Sequence, residues 1–304
     1  MKNIKIGNKL DASAVSLGCM RMGGLNDGRV DAVVDTALEC GINFFDHADI
    51  YGGGDAERAF GQYLKRHPSS RDKMMIQTKC AIHDGQFDFS KEHILKSVDG
   101  SLSRLGVEQI DVLLLHRPDT LMEPCEVAEA FDILETSGKV KYFGVSNQNM
   151  MQMELLKTAV KQPLIINQLQ FSVTEAGMVT SGMNVNMKNA DSVMHDGGFL
   201  EYSRIKGITI QAWSPFQYGF FEGNFVDNDK FPTLNKVLSE MGEKYGITKT
   251  GVAAAWILRH PANMQLIAGT MNPQHLREIC DASDITLSRA DWYEIYRAAG
   301  HTLP

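Results

Sequence analysis

Short apolar runs alternate with amphipathic ones along almost the whole chain, and that alternation predicts its elements. Compact runs rich in Val, Ile, Leu and Phe predict strands at residues 15–17, 43–46, 74–79, 111–116, 142–146, 164–168, 208–213 and 264–268. Between them, amphipathic segments predict helices at 29–40, 56–66, 90–105, 124–137, 149–160, 198–206, 233–245, 251–259 and 273–282. A last helix, 289–299, has no strand after it. The punctuation agrees: Gly41 and Gly138 stop two helices, Pro124 opens one at a tolerated first-turn position, and Ser90 caps another with His93 at its third position. Ahead of the first of these strands, IKIGNKLDAS predicts a hairpin turning at Gly7 and Asn8.

Eight strands, each followed by a helix, predict an α/β fold, a (β/α)8 TIM barrel with a short N-terminal hairpin and a C-terminal helix. The strand runs lack a polar face, as parallel strands covered on both sides do. No Pro-, Gly- or Ser-rich linker divides the chain, so residues 1–304 are expected to form a single domain.

Composition narrows the partners. The net charge is −7 and no block of five like charges occurs, which argues against nucleic acid or an anionic membrane surface. No apolar run approaches the length of a membrane span, and the start has no apolar signal-peptide core. Five scattered cysteines, with no CxxC, read as reduced thiols, so a cytoplasmic setting is expected.

The candidate chemistry gathers at strand ends. In NFFDHADIYGGGDAE, Asp46 ends the second strand and Tyr51 lies on the loop after it; Lys79 ends the third strand and His116 the fourth. Side chains alternate along a strand, so Phe44 and Asp46, Gln77 and Lys79, and Leu114 and His116 each share a face. Singly, each polar residue has a structural explanation: a turn cap, a packing ring, a solvated strand end, a satisfied buried histidine. Together at the carboxyl end of one barrel, where active sites lie, they form a proton-donating set. A carboxylate keeps a buried lysine charged, the ammonium lowers a tyrosine pKa from about 10, and a histidine orients a carbonyl oxygen. Asp49 reads as a loop-structuring residue. Gly52, Gly53 and Gly54 imitate a dinucleotide fingerprint, but Glu57 stands where the third glycine belongs, so they read as a tight turn beside Tyr51. No metal site is expected.

These residues resemble the catalytic tetrad of the aldo-keto reductases: Asp46, Tyr51, Lys79 and His116 within DHADIYGGGDAERAFG, MIQTKC and DVLLLHRPD. SLGCMRMGG, SGKVKYFGVSN, INQLQFS, QAWSPF and LIAGTMNPQHLREI extend the likeness over nearly the whole chain, which resembles the bacterial YdhF-like oxidoreductases of that family. The resemblance implies a nicotinamide cofactor across the barrel mouth, NADPH by preference with NADH possible, and a small-molecule carbonyl substrate reduced by a monomer. It places Ser146, Asn147 and Gln168 on the carboxamide, a neutral group that amides and a hydroxyl suit. It places Trp213 on the nicotinamide ring, and Asp46, Met20 and Arg21 along the cofactor. Ser214, Pro215 and Phe216 are implied in the pyrophosphate channel, and Gly269, Thr270, Met271 and His275 at the adenine end. Gly269 and His275 replace a lysine and an arginine that grip the 2′-phosphate in many NADPH-selective members. Arg277 is expected to point elsewhere.

Two loops are expected to form an apolar pocket wall: residues 171–197, with Met178, Met183, Met187 and Met194, and residues 217–231, with Phe220, Phe221 and Phe225. A slow-turnover redox sensor subunit is the main alternative. A Schiff-base lyase is disfavoured because Asp46 keeps Lys79 charged.

Overall fold

The computed structural model describes residues 1–84, 86–183 and 198–301. Eight parallel strands close into a barrel in chain order: β1 (Val15–Gly18), β2 (Phe44–Asp46), β3 (Met75–Cys80), β4 (Ile110–Leu115), β5 (Val140–Ser146), β6 (Leu164–Gln170), β7 (Thr209–Trp213) and β8 (Met264–Ala268). Around it run α1 (Asp27–Glu39), α2 (Asp55–Arg66), α3 (Lys91–Leu105), α4 (Pro124–Thr136), α5 (Met150–Leu156), α6 (Gly177–Met183), α7 (Phe199–Lys206), α8 (Pro232–Tyr245), α9 (Lys249–Leu258), α10 (Pro273–Asp281) and α11 (Arg289–Ala298). This is the (β/α)8 architecture that the alternating pattern predicts.

Strand alternation divides the core in two. Phe44, Val112, Leu114 and Ile166 fill the barrel together with Ile6 and Ala12 of the N-terminal hairpin (Asn3–Ile6 and Leu10–Ser13). Their neighbours Phe45 and Ile76 instead pack outward with Val34 and Phe60, and Leu113 and Leu115 do so with Ile94 and Phe131. Both faces are therefore apolar, which is why the strands read as continuous runs. The hairpin's three-residue loop turns at Gly7 and Asn8, both at positive φ, closed by Lys9 N–H donating to the Ile6 carbonyl at 2.9 Å, and Gly7 donates its N–H to Thr209 Oγ1 at 3.0 Å. The end of the barrel near β7's start is thereby plugged, leaving the carboxyl end open.

Boundaries move where local hydrogen bonds win. The helix expected at 149–160 stops at Leu156: Thr158 and Ala159 donate to carbonyls three residues back, and Thr158 Oγ1 also binds the Leu155 carbonyl. Strand β4 ends at Leu115, so His116 stands just past it. Unanticipated are α6 and two small hairpins, Ile82–His83 with Gln86–Phe87 and Gln217–Tyr218 with Gly223–Asn224. Met187 and Met194 lie outside the described residues. No helix among the described residues is long and apolar enough to cross a membrane.

Candidate active site

Inter-strand register sets the height of each polar side chain. Asp46 is level with Gln77, and Lys79 is level with Leu114. Lys79 and His116 therefore each rise two residues above a level shared with their neighbours, toward the open end. Tyr51 reaches the same place by a turn in which Gly52, Gly53 and Gly54 all have positive φ, +60°, +64° and +93°. Side chains rarely adopt that conformation, so the three glycines serve the turn rather than a phosphate.

Lys79 is completely buried, and its ammonium has three acceptors: Asp46 Oδ1 at 2.7 Å, the His47 carbonyl at 2.7 Å and Tyr51 Oη at 3.1 Å. An ammonium has three N–H bonds and a neutral amine only two, so this geometry suits the charged form. Burial is the largest single influence and disfavours that charge. Attraction to Asp46 and Tyr51, with the hydrogen bonds to both, outweighs it and raises the Lys79 pKa. The Tyr51 ring meets His116 edge-on, 5.9 Å between centres at 82°. Because Tyr51 Oη accepts from Lys79, the phenol's own hydrogen is free to point into the cavity.

One electrostatic expectation is corrected. Proximity alone predicts that Lys79 lowers the Tyr51 pKa. Lysine does pull it down, but burial, the largest influence, and the Asp46 charge raise it further, and the net shift is upward. The phenol thus stays protonated through neutral pH, the state required of a proton donor. His116 is held well below the usual histidine range by burial, then by Lys79 and Arg117, so its imidazole is neutral. Asp49 Oδ1 is buried with no partner among the described residues; burial, then the nearby Glu57 charge, push its pKa up to about 7 against the pull of Arg104 and of hydrogen bonds from the Ile50 backbone and Ser97.

Beneath this group runs a chain of amides with one self-consistent orientation. The Ser13 carbonyl, which only accepts, takes Gln265 Nε2 at 2.8 Å. Gln265 Oε1 is then left to accept Gln211 Nε2 at 2.8 Å. Gln211 Oε1 in turn accepts from Gln77 Nε2 (2.8 Å) and Gln168 Nε2 (2.9 Å). Both of these amides turn their remaining N–H toward Asp46 Oδ1, at 2.6 and 3.1 Å. A backbone carbonyl at the closed end thus fixes the amides around the carboxylate at the open end, and leaves Gln168 Oε1 without a protein partner among the described residues. Gln211→Leu strands two buried donors and is expected to lower stability by about 1–3 kcal/mol, read as a fall in the urea midpoint. A native midpoint would show that Gln211 does not hold these donors.

A cavity of about 1600 Å³ opens here. That exceeds the roughly 300–1,000 Å³ of a typical small-molecule pocket. Asp46, Tyr51 and His116 line it, while Lys79 lies beneath Tyr51. Ser146, Asn147 and Gln168 form one wall: Ser146 Oγ donates to the Gln168 carbonyl at 3.0 Å and accepts Asn147 Nδ2 at 2.7 Å. Asn147 Oδ1 accepts Trp213 Nε1 at 3.2 Å, holding the indole, which also has the Phe221 ring stacked 6.0 Å away and the Arg117 guanidinium at 5.6 Å. Asn147 and Ser214 have positive φ, strained backbone of a kind that gathers at functional sites. Met20, Arg21, Ser214, Pro215 and Phe216 continue the lining, as do Gly269, Thr270 and His275, with Arg21 donating to the Gly269 carbonyl at 2.9 Å. Met271 instead packs against the core. Phe220 and Phe221 reach the cavity, but Phe225 is fully buried in the core, so the apolar wall is smaller than expected. Arg277 pairs with Glu39 at 2.6 Å, pointing elsewhere as anticipated.

Other lining residues carry no functional signal in the sequence: Arg117, the apolar Ile50 and Phe87, and Lys249 and Thr250 in the first turn of α9. The one local sign of the last pair's position is Thr248, whose Oγ1 caps that helix by accepting from Gly251 N–H at 3.1 Å.

The chain belongs to the aldo/keto reductase family, whose model matches residues 14–299. It is 35% identical to 6-dehydroglucose reductase of Agrobacterium fabrum, the alignment covering 98% of each chain. It is 33% identical to oxidoreductase YdhF of Escherichia coli, over 89% of this chain and 88% of that one. In fold it matches the crystal structure of an aldo/keto reductase from Klebsiella pneumoniae in complex with NADP and acetate, with TM-score 0.80, 22% identity and coverage of 100% and 96%. It is therefore an oxidoreductase of the aldo/keto reductase type.

Proposed function

We propose that this protein reduces aldehydes or ketones to alcohols with NADPH, with Tyr51 as the general acid. The observation that carries this reading is the Lys79–Tyr51 hydrogen bond of 3.1 Å, which occupies the phenol oxygen and leaves its proton to be given away. The cavity fits a nicotinamide cofactor. Gln168 Oε1 is an unengaged acceptor among the described residues, and Ser146 and Asn147 adjoin it, an arrangement suited to a carboxamide. The indole of Trp213 offers a flat surface held in place by Asn147. At the far end, His275 and the amino-terminal turns of α9 and α10 suit an adenosine with its phosphate. The bound cofactor would supply the hydride to a carbonyl carbon.

The protein's part is positional and electrostatic. His116, neutral and at the mouth, orients the carbonyl oxygen toward Tyr51 Oη. As negative charge develops on that oxygen, Tyr51 donates its proton, and the charged Lys79 stabilises the phenolate left behind. Asp46, held by Gln77 and Gln168, keeps Lys79 charged in both states. The five free cysteines support action in a reducing cytosol, and we read the chain as acting as a monomer.

NADPH is favoured over NADH, although Lys249 is drawn to Asp227 at 2.6 Å and Glu278 also lines the cavity. The test is oxidation of NADPH, then NADH, with aromatic, aliphatic and sugar aldehydes, 6-dehydroglucose included because a relative carries that name. Rapid oxidation with any carbonyl is the expected outcome. Tight cofactor binding with negligible turnover on every one would replace the reductase with the sensor.

A further inference from the structure

Arg117 is a cation in the cavity wall that takes part in no proton-transfer step, adding only the last and smallest influence that keeps His116 neutral. It follows His116 at the end of β4, yet its guanidinium carbon lies 5.6 Å from the centre of the Trp213 ring, at the end of β7. Those strands are three apart in a ring of eight, so the side chain reaches across the mouth. Among the described residues it has no acid and no hydrogen-bond acceptor. The other long cations lining the cavity are committed: Arg21 donates to the Gly269 carbonyl at 2.9 Å, and Lys249 pairs with Asp227 at 2.6 Å. The nearest catalytic carboxylate is committed too, since Asp46 pairs with Lys79 at 2.7 Å.

A half-buried charge with no counter-ion among the described residues is unfavourable, and an anion supplied from outside the chain would stabilise it. Burial is the main influence on its pKa and draws it down, yet a guanidinium stays charged at any working pH. The guanidinium carbon lies 5.6 Å from the indole centre, and with no acceptor among the described residues its N–H groups remain available as a fork. Such a fork matches a carboxylate in two parallel hydrogen bonds. Ile50, Ile82, Phe87 and Phe221 give the same cavity apolar lining, and apolar surface beside a charge pair strengthens its attraction by lowering the local dielectric.

Resting on the reductase reading above, we propose that Arg117 forms an anion subsite in the substrate pocket. The preferred substrates are aldehydes or ketones that carry a carboxylate remote from the carbonyl. Arg117 thus determines specificity and takes no part in the chemical step.

The matched probes are 4-carboxybenzaldehyde and its neutral methyl ester, methyl 4-formylbenzoate, tested on the native protein, Arg117→Met and Arg117→Lys. The native enzyme is expected to favour the acid by at least about tenfold in kcat/KM, expressed in KM. In Arg117→Met that ratio collapses to near one, and Arg117→Lys, a charge without the fork, falls between. A native ratio near one, or an equal loss on acid and ester in Arg117→Met, overturns the subsite. So does a tenfold weakening of NADPH binding in Arg117→Met, measured by fluorescence titration, since the guanidinium would then serve the cofactor. If the native protein reduces neither probe, the reductase reading is decided separately by the wider carbonyl panel above. Calorimetric titration with 4-carboxybenzyl alcohol then decides: binding lost in Arg117→Met supports an anion site, and no binding to the native protein removes it.

Discussion

Tyr51→Phe is expected to reduce turnover by about 10²–10⁴-fold while leaving NADPH affinity within about threefold of native. The substitution removes one oxygen and keeps the ring, so the edge-on contact with His116 persists. Lys79 loses one of three acceptors but retains Asp46 and the His47 carbonyl, both at 2.7 Å, so the fold is expected to lose no more than about 1 kcal/mol. The groups proposed to hold the cofactor are untouched. The measurement is single-turnover reduction of one aldehyde beside a fluorescence titration of NADPH. Native turnover in the variant would remove Tyr51 as the acid. A parallel loss of NADPH affinity would instead make its hydroxyl part of the cofactor site.

The upward shift of the Tyr51 pKa adds a condition on pH. Burial and the Asp46 charge hold the phenol protonated above its ordinary range, so the acid is not depleted on the alkaline side near neutrality. A reduction rate that fell from neutral pH upward with native cofactor binding would therefore have to be traced to another group. The direction of the shift also shows why Lys79 cannot be judged by proximity alone. It lowers the Tyr51 pKa, but in a buried site the removal of water acts on the same group and acts more strongly.

How much of this was legible in the sequence follows from what a two-residue period can encode. It assigned Asp46 and Lys79 to the same face as Phe44 and Gln77, and these do turn inward. It gave no height, because height depends on register between strands, such as Asp46 opposite Gln77. For the same reason the period turns Gln77 inward but assigns it no role, because its partners Gln211 and Asp46 lie 134 and 31 residues away. Gln265 and Ser13, which orient the chain of amides, are 252 residues apart. Arg117 is silent in the sequence because its meaning lies in the missing counter-ion, and an absent partner has no sequence pattern. Phe225 errs the other way: an apolar residue in a mouth loop reads as pocket lining, and only packing shows that it belongs with the core.

Lys79→Met is expected to destabilise the fold strongly. Methionine fills much of the lysine stem's volume, so packing changes little. The Asp46 charge, however, is left buried without its cation, with only the amides of Gln77 and Gln168 to receive it. Breaking a buried pair from one side typically costs about 3–5 kcal/mol. In a chain of this size, that corresponds to a fall in Tm of roughly 5–8 °C. The double variant Asp46→Asn with Lys79→Met removes the stranded charge and is expected to recover most of the lost stability, because a neutral replacement of a buried pair is often close to balanced. It should recover none of the turnover, since the ammonium that stabilises the Tyr51 phenolate is absent from both proteins. Thermal unfolding and single-turnover rates on the native, single and double variants separate the two roles. If the single variant unfolds at the native temperature, Asp46 is not a stranded charge. If the double variant is active, proton donation by Tyr51 does not depend on Lys79. Stability that returns without activity is the pattern this geometry requires, because the same 2.7 Å contact serves the fold through charge balance and the reaction through the proton on Tyr51.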